Sequence, residues 1–315
     1  MSAGVQGAGA RKAVRSSRRA RRPDEIPLRL YGLRRRSEAA ATAACALFGI
    51  FTLVPIAWLV VNATKTQANV EGTFAFWFAR PFVLWHNLSL LFQNLDAGGT
   101  FLQWFANTAL YAGVAGVGAT IVSALGGYGF ARYRFRGSRL LFYVVLSALL
   151  VPVTAITLPL YLVYAKVKLI NSIWGMILPS MVTPVGIYLM RTFADASVPR
   201  ELIDSARIDG AGELSIFVRI GLPLMVPGLV TVLLLSIVGV WNNYFLPLII
   251  FSRSNLYPLT VGLGLLSDHA EANGTLAFVP LVITGSLVTI LPLVILFVVL
   301  QRYWRGGLLF GSTTG

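Results

Sequence analysis

Few side chains in this sequence could do chemistry, and their placement limits what that chemistry is. The longest polar, charge-bearing stretch of the C-terminal half runs from Val198 to Pro223 and holds Glu201, Asp204, Ser205, Asp209 and Gly210 among apolar residues. The apolar runs offer neither a nucleophile–base pair nor a metal-ligand cluster, so the reading is of a chain without catalytic residues. His86 and His269 lie far apart outside those runs, and the one cysteine, Cys45, lies inside one. No metal site and no intrachain disulfide follow from them. What remains is non-covalent: docking through the 198–223 stretch, and hydrogen bonding through Asn242 and Asn243. That amide pair sits between Trp241 and Tyr244. Such amides can line a path and offer hydrogen bonds to a polar ligand, or join neighbouring helices. The two aromatics can pack, or present a face to a ligand.

The docking stretch has a structure of its own. Pro199 suits the first turn of a helix and Glu201 its positive end. Leu202, Ile203 and Ala206 recur at the spacing of one helical face. Asp209-Gly210 then breaks the helix, because glycine accepts the positive φ that ends helices. A second short helical pattern carries Leu214, Phe217 and Val218 on one face and is expected to stop at Gly221-Leu222-Pro223. A helix–turn–helix between two spans lacks a core of its own, so it is expected to dock on another protein.

The surrounding sequence is that of a membrane protein. The chain is 56% hydrophobic and 12% charged, against about a quarter charged in soluble domains, and its mean hydropathy is +0.74. Runs without a charge are long enough to cross about 30 Å of hydrocarbon. They predict an all-α polytopic protein with spans at about 39–61, 104–131, 140–165, 172–190, 224–251 and 277–300. Pro152 and Pro159 predict kinks in the third, and Trp241–Tyr244 with Pro247 breaks in the fifth. The glycines of the second span, Gly113, Gly116, Gly118, Gly126, Gly127 and Gly129, permit close helix–helix approach. Residues 62–103 form a mixed segment that, with Trp77, Phe78, Trp85 and Trp104, suits the membrane interface. Residues 252–276 read as a polar loop, and 193–223 as the docking loop.

Charge sets the expected sidedness. The net charge of +14 is concentrated in residues 1–36, a basic tail expected to be disordered and cytosolic, drawn to anionic lipid headgroups. No nucleic-acid-binding motif accompanies it. Arg132, Arg134, Arg136, Arg139, Arg191, Arg200, Arg207, Arg219, Arg302 and Arg305 fall on the same side. Lys65, Arg80, Lys166, Lys168 and Arg253 fall on the other. Both termini and the docking loop are therefore expected in the cytosol. Topology accounts for the basic 132–139 loop, with an added protein contact as the alternative. No span contains Asp, Glu, Lys, Arg or His, which disfavours a stand-alone ion-coupled secondary transporter, although backbone-coordinated sodium leaves that alternative open.

Asp204-Ser205-Ala206, Asp209-Gly210-Ala211, Ile220 and Leu222-Pro223 resemble the "EAA" loop of permease subunits in bacterial binding-protein-dependent ABC importers. The spacing matches; Asp204 stands where glutamate is usual and Ser205 where alanine is. Gly127-Tyr-Gly-Phe-Ala-Arg-Tyr-Arg-Phe-Arg-Gly137, Trp241-Asn-Asn-Tyr-Phe-Leu-Pro247, Tyr257-Pro-Leu-Thr-Val-Gly262 and Gln301-Arg-Tyr-Trp304 are similar to the carbohydrate (maltose/trehalose-type) branch. The resemblance implies the type I importer permease fold in a bacterial inner membrane. It also implies a second related permease, two ATPase subunits holding ATP and Mg, and an extracytoplasmic substrate-binding protein. Within this chain it implies ATPase coupling through Asp204, Ser205, Ala206, Asp209, Gly210, Leu222 and Pro223. A second contact is implied at 306–315, and a rigid-body motion that rocks the spans between inward- and outward-open states.

Overall fold

The computed structural model describes residues 28–95, 99–272 and 279–303. The chain divides into two compact units, Met1–Val54 and Pro55–Gly315. Helix α1 is Leu28–Ala63, and its part in the first unit carries exposed Leu47, Phe48, Ile50 and Phe51. It begins inside the stretch expected to be disordered tail. Leu28, Leu30, Tyr31 and Leu33, followed by the good helix formers Arg34–Arg36, extend the helical run backwards. Residues 1–27 of that tail lie outside the described residues.

In the second unit, short helices α2 (Gln67–Gly72) and α3 (Leu84–Leu91) precede a two-rung antiparallel ladder of β1 (Asn94–Leu95) with β2 (Gly99–Thr100). Thr100 caps α4 (Phe101–Arg132), its side chain accepting from the Gln103 N–H at 3.2 Å. The third span is two helices, α5 (Ser138–Ser147) and α6 (Val153–Val167), broken at Val151-Pro152, while Pro159 sits inside α6 without breaking it. The fourth is also two helices, α7 (Ile173–Ser180) and α8 (Pro184–Ser197). The docking loop follows as α9 (Arg200–Ile208), α10 (Glu213–Ile216) and α11 (Leu222–Leu224). Then come α12 (Val226–Trp241), α13 (Phe245–Ile250), α14 (Leu259–Ala272) and α15 (Val279–Leu300). Among the described residues four helical stretches are long and apolar enough to cross a membrane, α7 with α8 counting as one, and the number rises to six where each of two bent pairs counts as one span.

Helix α4 is the central element because small residues let its neighbours reach its backbone. A Cβ on Gly127 would lie 2.5 Å from the Arg191 N and Met190 Cβ of α8; one on Gly186 of α8 would lie 2.3 Å from Ser123 Oγ. Backbones at this separation gain dispersion contacts along their length, the main attraction available between helices in lipid. Gly116 serves α12 in the same way, its Cβ direction 2.5 Å from Ile237 Cγ1, whereas Gly113 and Gly129 meet nothing within 4 Å.

Two apolar cores form along α4. One gathers Phe101, Trp104, Tyr111, Trp241, Ile250, Phe251, Leu259 and Leu281 at its N-terminal end. The other gathers Tyr128, Met190, Ala194, Ile203, Ile216, Phe217 and Met225 at its C-terminal end. Trp104 is thus not an interfacial aromatic. It is fully buried against the backbone of Gly262, where any side chain would clash with its ring. Nor is the described part of the 252–276 stretch, which ends at Ala272, a polar loop. Leu259, Val261 and Leu266 of α14 are buried, and the segment before it is held by α4: Asn107 Nδ2 donates to the Asn255 and Tyr257 carbonyls at 2.9 and 3.0 Å, and Tyr111 Oη to Leu256 O at 3.0 Å. The alternating small and apolar residues of 259–266 hid a helix packed on two sides. Asn171, at φ 55, accepts from the Ser252 N–H at 2.7 Å. The 168–172 and 250–259 connections therefore gather at one end of α4, and the 132–139 connection and docking loop at the other.

Candidate docking surface and groove

Helix α9 forms where expected, with Pro199 as its cap and Glu201 in its first turn. It ends at Asp209, and Gly210 takes φ +81, a left-handed value that glycine adopts without a Cβ penalty. Ala211 N–H returns to Ala206 O at 2.9 Å and Gly210 N–H to Arg207 O at 3.0 Å, which closes the turn. The second pattern does not stop at Gly221-Leu222-Pro223. Residues 217–221 form a wide π turn, with the Leu222 N–H donating to Phe217 O, and the helix runs on through α11. The break falls at Met225, where the path bends by 79° into α12. Pro223 lacks an N–H and follows closely on the π turn, whose widened path accommodates it.

The loop buries part of itself against its own chain. Ile203, Ile216 and Phe217 enter the core beside Tyr128, Met190 and Ala194, and burial of each stabilises the loop by about 1.5–3 kcal/mol. Tyr128 and Phe217 lie with ring centroids 5.0 Å apart. Of the faces read from sequence, Ile203 and Phe217 point inward, while Leu202, Leu214 and Val218 are exposed; Ile208 is 88% exposed. The polar side chains fix the angle between the two helices. Arg207 of α9 reaches Glu213 of α10 through two bonds, Nε–Oε1 at 2.7 Å and Nη2–Oε2 at 3.2 Å, and Asp204 Oδ1 at 3.2 Å. Tyr133, just past α4, donates its hydroxyl to Glu213 Oε2 at 2.8 Å. Arg207 and then Tyr133 hold the Glu213 carboxyl below the ordinary carboxylate range. Tyr133 is itself pushed up to about 12 by burial and by this bond.

This network of Tyr133, Arg207 and Glu213 was not singled out from sequence. Its signal was a pair of opposite charges six residues apart across a glycine turn. Asp204, Ser205, Asp209 and Gly210 sit together on the exposed side of the turn, and Ala206 is half-buried. Leu222 is half-buried and Pro223 exposed at the far end of the loop, so the site residues form one surface only if α10 and the π turn are included. Nearby, Arg132 is anchored by the Ala194 carbonyl, with Asp195 at 3.9 Å.

The four residues considered for a path separate. Trp241 belongs to the core, 5% exposed and edge-on to Phe105 at 5.8 Å. Asn242 donates back to Val238 O within its own helix at 2.9 Å. Tyr244 packs over Gly264 of α14. Asn243 alone lines a groove of about 440 Å³ between α8 and α12, with Ser180, Thr183, Ser236, Gly186 and Gly239. Its Oδ1 accepts from the Leu246 N–H at 3.3 Å. The groove opens where the fourth span is interrupted at residues 181–183, and Thr183 caps α8 there, accepting from the Gly186 N–H at 3.4 Å. Sequence reading ran this span through unbroken; Pro179 and Pro184 were the signal. No carboxylate, amine or guanidinium lines the groove.

Comparison with known proteins agrees with this architecture. The family described as "Binding-protein-dependent transport system inner membrane component" matches residues 116–305, more than half of the chain. The arabinooligosaccharides transport system permease protein AraQ of Bacillus subtilis (strain 168) is 33% identical over 278 residues, 88% of this chain and 95% of that protein. The melibiose/raffinose/stachyose import permease protein MelC of the same organism is 28% identical over 279 residues, again 88% and 95%. A solved bacterial ABC transporter involved in import of the acidic polysaccharide alginate has a chain that superposes with a TM-score of 0.71 at 22% identity, covering 86% of this chain and 97% of that one. Such a permease carries no catalytic residues of its own, and it works with a partner ATPase and a substrate-binding protein. The secondary-transporter alternative falls away with this assignment. The chain belongs to the binding-protein-dependent transport system inner membrane component family, as a multi-pass permease subunit of an ATP-driven importer.

Proposed function

We propose that this permease imports a carbohydrate, and that the turn at Asp204–Ala211 is where the ATPase drives it. One observation carries the docking reading. The turn is stiffened by Arg207, Glu213 and Tyr133 while Leu202, Ile208 and Leu214 stay exposed around it. A rigid knob with an apolar rim has the build of a surface that enters a groove on another protein. Asp204, Ser205, Ala206, Asp209 and Gly210 would set its geometry, and Leu222-Pro223 with the bend at Met225 would carry the motion into α12. ATP and Mg would sit in two ATPase subunits, one docked here and one on a second related permease. The knob would face the cytosol, with both termini on that side, a reading the arginine bias supports.

The carbohydrate reading rests on the named relatives, which handle arabinooligosaccharides and melibiose, raffinose and stachyose, and on the character of the groove. Asn243, Ser180, Thr183 and Ser236 offer neutral donors and acceptors in an apolar wall, which suits hydroxyl groups rather than ions. Affinity purification of the chain from its native membrane tests both readings. An ATPase and a binding protein loaded with a saccharide are expected to co-purify. A binding protein loaded with an amino acid or a metal would overturn the substrate class. A chain that purifies alone and supports uptake without ATP would overturn the coupling.

A further inference from the structure

A second cavity, about 510 Å³, opens beside the docking loop and is lined by Arg134, Arg139, Arg191, Arg200, Ser138 and Phe142. Four guanidiniums from four segments converge on it: the turn after α4, the start of α5, α8, and the first residue of α9. Arg191 is partly neutralised, with Asp195 at 3.9 Å, and lies over the Phe142 ring at 3.9 Å. Arg134, Arg139 and Arg200 form no ion pair among the described residues. Gly137, at φ +83, opens α5 without a side-chain cap; the Ser138 N–H donates to Phe135 O at 3.2 Å, and the next N–H groups of this ten-residue helix add a positive end to the same space. Like charges gathered this way repel one another unless an anion sits among them. Arginine, with its forked donors, is the side chain best suited to a phosphate.

We propose that this cavity binds a phosphate group, and that the headgroup of an anionic phospholipid supplies it. The apolar surroundings favour the membrane as the source. Beside the arginines, α5 leaves Leu140, Leu141, Tyr143 and Val144 exposed, 71%, 49%, 60% and 56% respectively, in a direction continuous with a membrane span. A lipid with its phosphate among the arginines would lay its acyl chains along this face. The phosphate would bridge Arg200 of α9 to Arg134 and Arg139, joining the docking loop to the α4–α5 connection. Binding depends only on the cavity, so it stands or falls separately from the docking reading.

The test is native mass spectrometry of the intact complex titrated with phosphatidylglycerol, with phosphatidylcholine and with inorganic phosphate. Arg134→Gln/Arg139→Gln removes two cations that hold no ion-pair partner among the described residues, and an unchanged melting temperature shows that the variant is folded. Expected is selective retention of phosphatidylglycerol by the wild type, weakened roughly tenfold or more in the double variant. Equal retention of both lipids, or retention that ignores the substitutions, would overturn the site. Inorganic phosphate bound in place of lipid would overturn the membrane source. Retention that appears only once the ATPase is stripped away would show that a protein carboxylate fills the cavity instead.

Discussion

Gly210 gives the sharpest test of the docking turn. Its φ of +81 lies where an L-residue pays about 1–2 kcal/mol, while a Cβ added there would meet nothing within 4 Å. Substitution therefore acts through the backbone alone. A penalty of that size lowers the population of the native turn by at most roughly 5- to 30-fold. If only that turn fits the ATPase, the apparent dissociation constant rises by the same factor as the competent fraction falls. Gly210→Ala is expected to approach this range and Gly210→Val to exceed it, because a β-branched residue is least tolerant of positive φ. Gly210→Asn should recover most of the loss, since asparagine visits this region readily. The assay is titration of the purified ATPase onto the reconstituted permease, read by fluorescence, with stimulated ATP hydrolysis as a second readout. An asparagine variant as weak as the valine one would refute the reasoning, because bulk at the surface rather than backbone shape would then be the cause. An alanine variant that binds like the wild type would refute it as well.

Other outcomes follow from the same contacts. Gly127→Leu should destabilise the folded chain by about 1–3 kcal/mol or more, since its Cβ would press on the α8 backbone at 2.5 Å; Gly129→Leu, which meets nothing, should leave thermal unfolding of the detergent-solubilised protein unchanged. Trp241→Ala should cost about 3–5 kcal/mol of stability, whereas Asn243→Ala should cost only about 1 kcal/mol, for the lost bond to the Leu246 N–H, and change the uptake rate or selectivity. The Glu213 carboxyl is held below its ordinary value of 4.5. Its contribution to the turn is therefore fully present above that value and is lost as pH falls through the lowered one. ATPase binding should accordingly show no Glu213-dependent change from neutrality down to about pH 5, and Glu213→Gln should remove the acid-side loss below it.

The spans and the docking turn were legible because their signals are local. An uncharged apolar run reports a membrane helix, and a Pro–helix–Asp-Gly sequence reports its own start and stop. Long-range partners were less visible. The face of α9 was assigned from period alone, but whether Leu202 or Ile203 is buried depends on Tyr128 and Met190, which come from other spans. Trp104 looked interfacial because tryptophan often is, yet Gly262, far later in the chain, makes room for its ring. Helix α14 went unseen since its polar flanks read as loop and its burial is supplied by α4 and α15. The π turn allows the helix to pass Pro223, and nothing in the residue pattern marks where such a turn will form.

The groove between α8 and α12 has a consequence for how force moves through the molecule. Its two walls are neighbours in the chain: the docking loop leaves the C-terminal end of α8 at Val198 and enters the N-terminal end of α12 at Met225. The loop is thus the bow of a pair of tweezers whose arms enclose the cavity. A push on the bow reaches both arms through the covalent backbone. Both arms are seated on one helix, α8 against Gly127 of α4 and α12 against Gly116, and the 79° bend at Met225 joins the bow to the second arm. With both walls held on α4, a push on the bow would widen the groove only as far as the small-residue seats at Gly116 and Gly127 let the arms slide.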